Sequence, residues 1–191
     1  VDGVTATALL KEVLDSLGAR VKGYIPNRFD EGYGVNKDAL DALYAEGVRL
    51  VITVDCGIRS PEEARHAKQI GLDLIITDHH HPAAEMPEAL AVINPKQPGD
   101  TYPDKNLSGV GLAYKLAFAL LEKADPQRKQ IIPAAQEYLD LVALGTIADL
   151  VPLVGENRAL VRAGLRYICR PYRQGVLSLI GESGLTRSEE H

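Results

Sequence analysis

The ten residues Leu72-Asp73-Leu74-Ile75-Ile76-Thr77-Asp78-His79-His80-His81 run a short apolar stretch directly into one carboxylate and three imidazoles. A run this short and this apolar suits an interior strand of a parallel sheet, buried on both faces. Open α/β sheets hold ligands just beyond the carboxyl ends of their strands, so polar, metal-competent residues placed there stand where chemistry is expected. A solvated loop is the bland alternative. A second stretch of the same design argues against it: Arg49 to Val54 reads as another apolar strand and ends in Asp55-Cys56-Gly57.

Between the two stretches, Ser60-Pro61-Glu62-Glu63 marks a helix start, with Ser at the cap, Pro in the first turn and Glu at the third helical position. That helix ends near Gly71. Strand, helix and strand make a βαβ unit and predict a parallel sheet. Because such crossovers are right-handed and join neighbouring strands, Asp55 and Asp78 leave the same sheet edge roughly 5 to 10 Å apart. A metal can bridge that gap.

Upstream, Val4, Ala8, Leu9, Val13 and Leu17 form a helical stripe closed by Gly18, and residues 19–25 read as a strand. Residues 26–35, with Arg28 and Gly32-Tyr33-Gly34, read as a loop. Asn36 caps a helix carrying Leu40, Leu43 and Tyr44 that closes at Gly47. Downstream come a short strand over 89–93 and a Pro-rich loop over 94–106. Ser108 then opens a helix with Leu112, Leu116, Ala119 and Leu120, and a second helix carries Tyr138, Leu141, Val142 and Leu144. The latter runs into Gly145-Thr146-Ile147-Ala148-Asp149-Leu150-Val151-Pro152-Leu153. An acidic residue among apolar ones is costly to bury unless it is paired or on a metal. Two more helices, over 157–169 and 174–181, complete the pattern. The fold class is therefore α/β: a parallel, Rossmann-like sheet with flanking helices over about 1–106, and a mainly helical continuation over about 107–191.

A chain of 191 residues is long enough for one substantial core, and no apolar run approaches a membrane span. Two cysteines make no disulfide framework, and with no signal peptide in view the expected compartment is the cytoplasm. The net charge of -5 is unusual for a protein that grips nucleic acid by itself, so a polyanionic substrate would need metal ions or a further domain to attract it. Both ends read as cut: a strand is expected before the first helix, and the polar end at Ser188-Glu189-Glu190-His191 suggests a fragment, with His191 as the first residue of a tag.

Asp2, Asp55, Asp78 with His79 and His80, and Asp149 are placed to face one site. Oxygen and imidazole donors without thiolate suit Mn²⁺ or Mg²⁺, and clustered carboxylates suit a two-metal site whose ions, about 3.5 to 4 Å apart, clamp a phosphoryl group during in-line displacement. That chemistry is phosphoester hydrolysis.

Asp2-Gly3, Val54-Asp55-Cys56-Gly57, Asp78-His79-His80 and Gly145-Thr146-Ile147-Ala148-Asp149 resemble, in order, the four motifs of the DHH phosphoesterase superfamily. Thr53 to Ile58, Arg28 with Glu31-Gly32-Tyr33-Gly34, Leu107-Ser108-Gly109-Val110-Gly111 and Glu156-Asn157-Arg158 resemble the RecJ-type single-strand-specific exonucleases within it. The resemblance covers essentially the whole chain. It implies that Asp55 bridges two metals, that His79, Asp149 and Asp2 ligate one of them, that His80 contacts the scissile phosphate, and that Asp78 orients an imidazole. It also implies single-stranded DNA as substrate, degraded 5′ to 3′ in repair and recombination, with a single-strand-binding protein and a helicase as partners. Arg28, Gly32, Tyr33 and Gly34 could hold a substrate phosphate through guanidinium and backbone N–H groups. The family pattern has another Asp two residues before Asp2, outside this sequence, so the fragment as read would hold a single ion and be weakly active or inactive. The family also places a smaller, basic substrate-binding domain downstream.

Plainer assignments fall to other residues. His81 reads as a loop residue, Cys56 as a small packer, His66 as exposed, and Arg158, Arg162 and Arg166 as a solvated helix face rather than a phosphate track. The alternatives to a nuclease are a DHH phosphatase or small-substrate phosphodiesterase, acting on pyrophosphate, oligonucleotides or a cyclic dinucleotide, and a non-catalytic replication scaffold.

Overall fold

The computed structural model of the chain describes residues 1–26, 34–125, 127 and 135–184. Strands β1 (Leu50–Val54), β2 (Asp73–Thr77) and β3 (Ala91–Ile93) form a parallel sheet in the order β1-β2-β3. β1 and β2 pair from Leu50 opposite Asp73 to Val54 opposite Thr77, and β2 pairs with β3 from Ile75 opposite Ala91 to Thr77 opposite Ile93. Because Val54, Thr77 and Ile93 are level, the residues that follow them emerge side by side at one sheet edge. Asp55, Asp78 and Asn94 are those residues.

Seven helices lie among the described residues: α1 (Asp2–Ser16), α2 (Lys37–Ala45), α3 (Pro61–Ile70), α4 (Gly109–Ala124), α5 (Leu139–Ala148), α6 (Gly155–Ile168) and α7 (Gln174–Glu182). None is long and apolar enough to cross a membrane. Alternation along the strands sends side chains to two cores. On one face, Ile52 and Val54 pack against a cluster from α1, α4 and α5 that includes Leu9, Val13, Val110 and Val142. On the other, Val51, Leu74 and Ile76 meet Leu40 of α2 and Ala64 and Ala67 of α3.

Local chemistry sets the helix ends. Gly18 takes φ 84 and closes α1 with Gly18 N donating to Asp15 O and Ala19 N to Leu14 O, the paired bonds of a left-handed helix stop. Asn36 accepts from Ala39 N at 2.7 Å and caps α2, while Ser108 accepts from Gly111 N at 3.1 Å and caps α4. Ser60 occupies the cap position of α3, yet its side chain makes no capping bond.

One expected element does not form. Residues 19–25 pair with no strand among the described residues; apart from half-buried Val21 they are exposed. A strand needs a ladder partner, and this segment passes instead over α1, where Gly23 lies beside Thr7 and Lys11. The buried stripe of α1 also differs from the expected one: Ala6, Leu9, Leu10 and Val13 are buried, whereas Val4 and Leu17 are exposed.

The last two helices dock by specific devices. Gly164 of α6 meets the backbone carbonyl of Leu139 and the Ala143 side chain of α5 so closely that a Cβ would overlap both. Arg173, just before α7, donates its Nε to Asp140 Oδ1 at 3.2 Å, one terminal nitrogen to Glu12 at 2.6 Å and the other to the Glu137 carbonyl at 3.1 Å. Burial raises the Asp140 carboxyl above the ordinary range, and the guanidinium works against that rise.

Candidate metal centre

Asp55 begins the turn after β1 with φ 61, a left-handed conformation that an Asp adopts at some cost in strain. Thr53 Oγ1 donates to the Cys56 carbonyl at 2.8 Å and fixes that turn. His79, two residues beyond β2, is buried and turns its Nε2 toward three carboxylates. The distances are 3.1 Å to Asp55 Oδ1, 3.5 Å to Asp149 Oδ2 and 3.9 Å to Asp2 Oδ2. Four residues from four separate segments thus meet at one sheet edge.

Each is held from behind. Asp2, the first residue of α1, accepts from Gly109 N at 2.6 Å and Val110 N at 2.8 Å, the free N–H groups of the first turn of α4. Asp149 ends α5, and that end is tied down by Thr146 bonding Ser108 at 2.8 Å. Buried Asn157 donates to the carbonyls of Asn106 at 2.6 Å and Pro152 at 3.1 Å, securing the turn after Asp149. The glycines of the motifs make room: a Cβ on Gly109 would lie 2.7 Å from Asp55 Cβ and 3.0 Å from Asp2 Oδ2, and one on Gly145 would overlap Thr5, Val110 and Asp2.

The electrostatics call for a cation. Burial, then the Asp55 charge, pushes the Asp2 carboxyl up to about 6, although the backbone N–H groups of Val110 and Gly109 work against the shift. Burial disfavours the His79 imidazolium, but the bond to Asp55 and the fields of Asp149, Asp55 and Asp2 outweigh it and raise the ring above its ordinary value. Two triads, Asp55-His79-His80 and Asp2-His79-Asp149, each bring one donor atom per residue within 4.8 Å of the others. The two groups share His79. Cys56 contributes no thiolate, because burial and the charges of Asp78 and Asp55 push its thiol up to about 12. Carboxylates with imidazole and without thiolate fit Mn²⁺ or Mg²⁺.

His80 is oriented separately. Asp78 Oδ1 accepts from His80 Nδ1 at 2.6 Å and from His80 N at 3.1 Å, while Oδ2 accepts from Ile58 N at 3.0 Å. A carboxylate only accepts, so the bond places the His80 proton on Nδ1 and leaves Nε2 for a metal, a proton or a phosphate oxygen. Asn94 adds a bond from Nδ2 to the His80 carbonyl at 2.9 Å.

Of the residues proposed from sequence, Asp2, Asp55, His79, His80 and Asp149 converge, and Asp78 stands directly behind His80. Arg28, Gly32 and Tyr33 lie outside the described residues. Gly34 lines a cavity beside His80. His81 is exposed, in keeping with a loop residue, and so are Arg158, Arg162 and Arg166. His66 is a correction: it is half-buried, and its Nε2 lies 2.7 Å from Asp41 Oδ1. The supporting residues Asn94, Asn157 and Thr146 were not singled out individually. Only Asn94 carried a signal of its own, as a polar residue directly after a strand in an α/β chain.

An open parallel sheet with carboxylates and imidazoles gathered beyond its carboxyl edge defines a candidate metal centre of a recognisable class. The chain belongs to the DHH family, whose N-terminal domain matches residues 1–146. Within that class its relatives include RecJ proteins. It is 50% identical over 183 residues to the single-stranded-DNA-specific exonuclease RecJ of Bacillus subtilis, covering 96% of this chain and 22% of that protein. Against the Escherichia coli protein of the same name the figures are 42% over 188 residues, 93% and 33%. The chain thus spans a fifth to a third of these relatives. A crystal structure of exonuclease RecJ bound to manganese superimposes with TM-score 0.83 at 40% identity, covering 98% of this chain and 46% of that one. RecJ of Thermus thermophilus in complex with Mn²⁺ gives 0.78 at 37% identity, over 97% of this chain and 26% of that one.

Proposed function

We propose that this chain is the metal-dependent hydrolytic part of a RecJ-like exonuclease, cleaving phosphodiester bonds of single-stranded DNA from the 5′ end in DNA repair and recombination. The observation that carries the reading is His79 Nε2 set within 3.1 to 3.9 Å of three carboxylates from separate segments. In this reading Asp2, Asp55, His79 and Asp149 would hold Mn²⁺ or Mg²⁺. Such an ion supplies Lewis acidity at the phosphate. His80, its Nδ1 proton held by Asp78, faces the scissile phosphate with Nε2 and neutralises charge that develops on the phosphoryl oxygens when that nitrogen is protonated. Residues 1–106 act as the sheet part and 107–191 as the helical part of one catalytic unit that works with a downstream substrate-binding domain. A cytoplasmic setting, a single-strand-binding protein and a helicase belong to the same reading.

The reading is tested in the full-length protein, with the residues before Asp2 and the downstream domain present, on single-stranded DNA labelled separately at each end, in Mn²⁺ and in EDTA. Early release of mononucleotide from the 5′ label, abolished by EDTA, is the predicted result. Turnover of dinucleotides or pyrophosphate without attack on DNA would move the chain to the small-substrate phosphodiesterases, and silence on every substrate would favour a scaffold.

A further inference from the structure

Two cavities of similar size flank the sheet edge, and they differ in what their cations do. One, of about 250 Å³, lies between the end of β3 and α4, and its Lys115 is engaged by Glu156, which also takes the Tyr102 hydroxyl. The other, of about 260 Å³, is lined by His80, Asp78, Cys56, Gly34, Ser60 and Arg59. It is smaller than pockets that enclose drug-sized ligands, so it suits a group such as a phosphate rather than a whole nucleotide.

Arg59 is exposed, and its Nε donates to the carbonyl of His81 at 2.8 Å. That bond fixes the base of the guanidinium to the residue directly after His80. Among the described residues no carboxylate takes its two terminal nitrogens. Asp78, the acid lining the same cavity, has both oxygens committed, Oδ1 to His80 and Oδ2 to Ile58 N. Ser60 beside it leaves its hydroxyl unused for capping. A tethered guanidinium whose two terminal nitrogens have no carboxylate partner among the described residues, in a chain whose net charge is -5, is a fork shaped for a tetrahedral oxyanion. The exposed arginines of α6 are also unpaired among the described residues, but they line neither cavity.

We propose that Arg59 is a substrate-binding residue that holds a phosphate of the single strand next to the one being cut. The proposal rests on the phosphodiesterase reading for its ligand. Its positional consequence is specific: because Arg59 is tied to His81, a phosphate on Arg59 sets the neighbouring phosphate at a fixed offset from His80. The sequence Gly57-Ile58-Arg59-Ser60 then serves the substrate as well as starting α3.

The test measures equilibrium binding of a fluorescent oligothymidylate to the chain and to Arg59→Gln across a salt series in EDTA, alongside Mn²⁺ titration, thermal melting and hydrolysis in Mn²⁺. The predicted result is at least tenfold weaker oligothymidylate binding for R59Q, with a salt slope shallower by about 0.7, the value for one lost phosphate contact on a single strand. Mn²⁺ affinity and melting temperature stay within error, and Arg59→Lys recovers part of the affinity. R59Q binding with unchanged affinity and slope overturns the proposal. So does a loss of affinity that comes with lower melting and weaker Mn²⁺ binding and leaves the slope intact, since Arg59 would then only staple the His81 loop. If the full-length protein hydrolyses nothing in Mn²⁺ but R59Q still shows the weaker binding and shallower slope, the phosphate site stands and the hydrolytic reading falls.

Discussion

Asp2 shows how one residue is held between opposing demands. Its carboxylate accepts two backbone N–H groups of α4, which favour the charge, yet burial and Asp55 push its pKa up to about 6. A carboxyl whose folded-state value lies above its unfolded value binds its proton more tightly when folded, so its contribution to stability is present at low pH and lost as pH rises toward 6. His79, also raised, loses its contribution as pH climbs through its folded-state value. In EDTA, the centre is therefore predicted to be more stable at pH 5 than at pH 7.5, by about 1 to 2 kcal/mol from Asp2. Thermal melting of the chain and of Asp2→Asn checks this: the variant should show a flatter pH dependence, and equal slopes would refute the assignment. Added Mn²⁺ should reverse the sign, because metal competes with protons for the same groups. Gly109→Ala probes the room around the same carboxylate. Its Cβ must displace Asp55 or Asp2, so Mn²⁺ affinity measured by calorimetry should fall tenfold or more. At the neighbouring Cys56, a thiol pushed up to about 12 carries almost no thiolate at pH 8, so iodoacetamide should label exposed Cys169 at least tenfold faster, as read by peptide mass spectrometry.

Among the elements, those with local punctuation were readable from sequence. Asn36, Ser108, Gly18, Gly47 and Gly71 act at or next to the ends assigned to them, and β1, α3 and β2 lie within about two residues of their predicted limits. Residues 19–25 were misread because β-propensity describes a segment and not its neighbour, and a strand without a ladder partner does not form. The burial of α1 was offset for a related reason: the stripe Val4, Ala8, Leu9, Val13, Leu17 fits a helix in isolation, whereas contact with α4 and α5 selects Ala6, Leu9, Leu10 and Val13. The Arg173 anchor was invisible, since its partners Glu12, Glu137 and Asp140 lie far off in sequence. Asp140 is fully buried, so Arg173→Met should leave an unpaired charge and cost about 3 kcal/mol or more in chemical denaturation. Replacing both partners, Arg173→Met with Asp140→Leu, should restore much of that loss. A single variant of wild-type stability would remove the pair from the account.

For the molecule as a whole, the convergence of Asp2, Asp55, His79, His80 and Asp149 was legible because a parallel sheet delivers strand ends to one edge and the helices α1 and α5 bring in the other two acids. What stayed hidden was the support: Asn94 beneath the His80 carbonyl, Asn157 bridging Asn106 and Pro152, and the α4 N-terminus behind Asp2, which apart from the Asn157–Pro152 bond are contacts between separate segments of the chain. The acidic balance of the chain also takes its meaning at this scale. Three carboxylates packed around one imidazole repel each other, and under the proposed function a divalent cation would both relieve that repulsion and draw in a polyanion. The measurement that tests this most directly compares the full-length protein with its Asp55→Ala variant for Mn²⁺ binding and for hydrolysis of end-labelled single-stranded DNA, each with and without EDTA. The expected result is that the variant loses hydrolysis at least a thousandfold and weakens Mn²⁺ binding at least tenfold while keeping its melting temperature in EDTA. Hydrolysis at near wild-type rate by Asp55→Ala, or in the presence of EDTA, would contradict it.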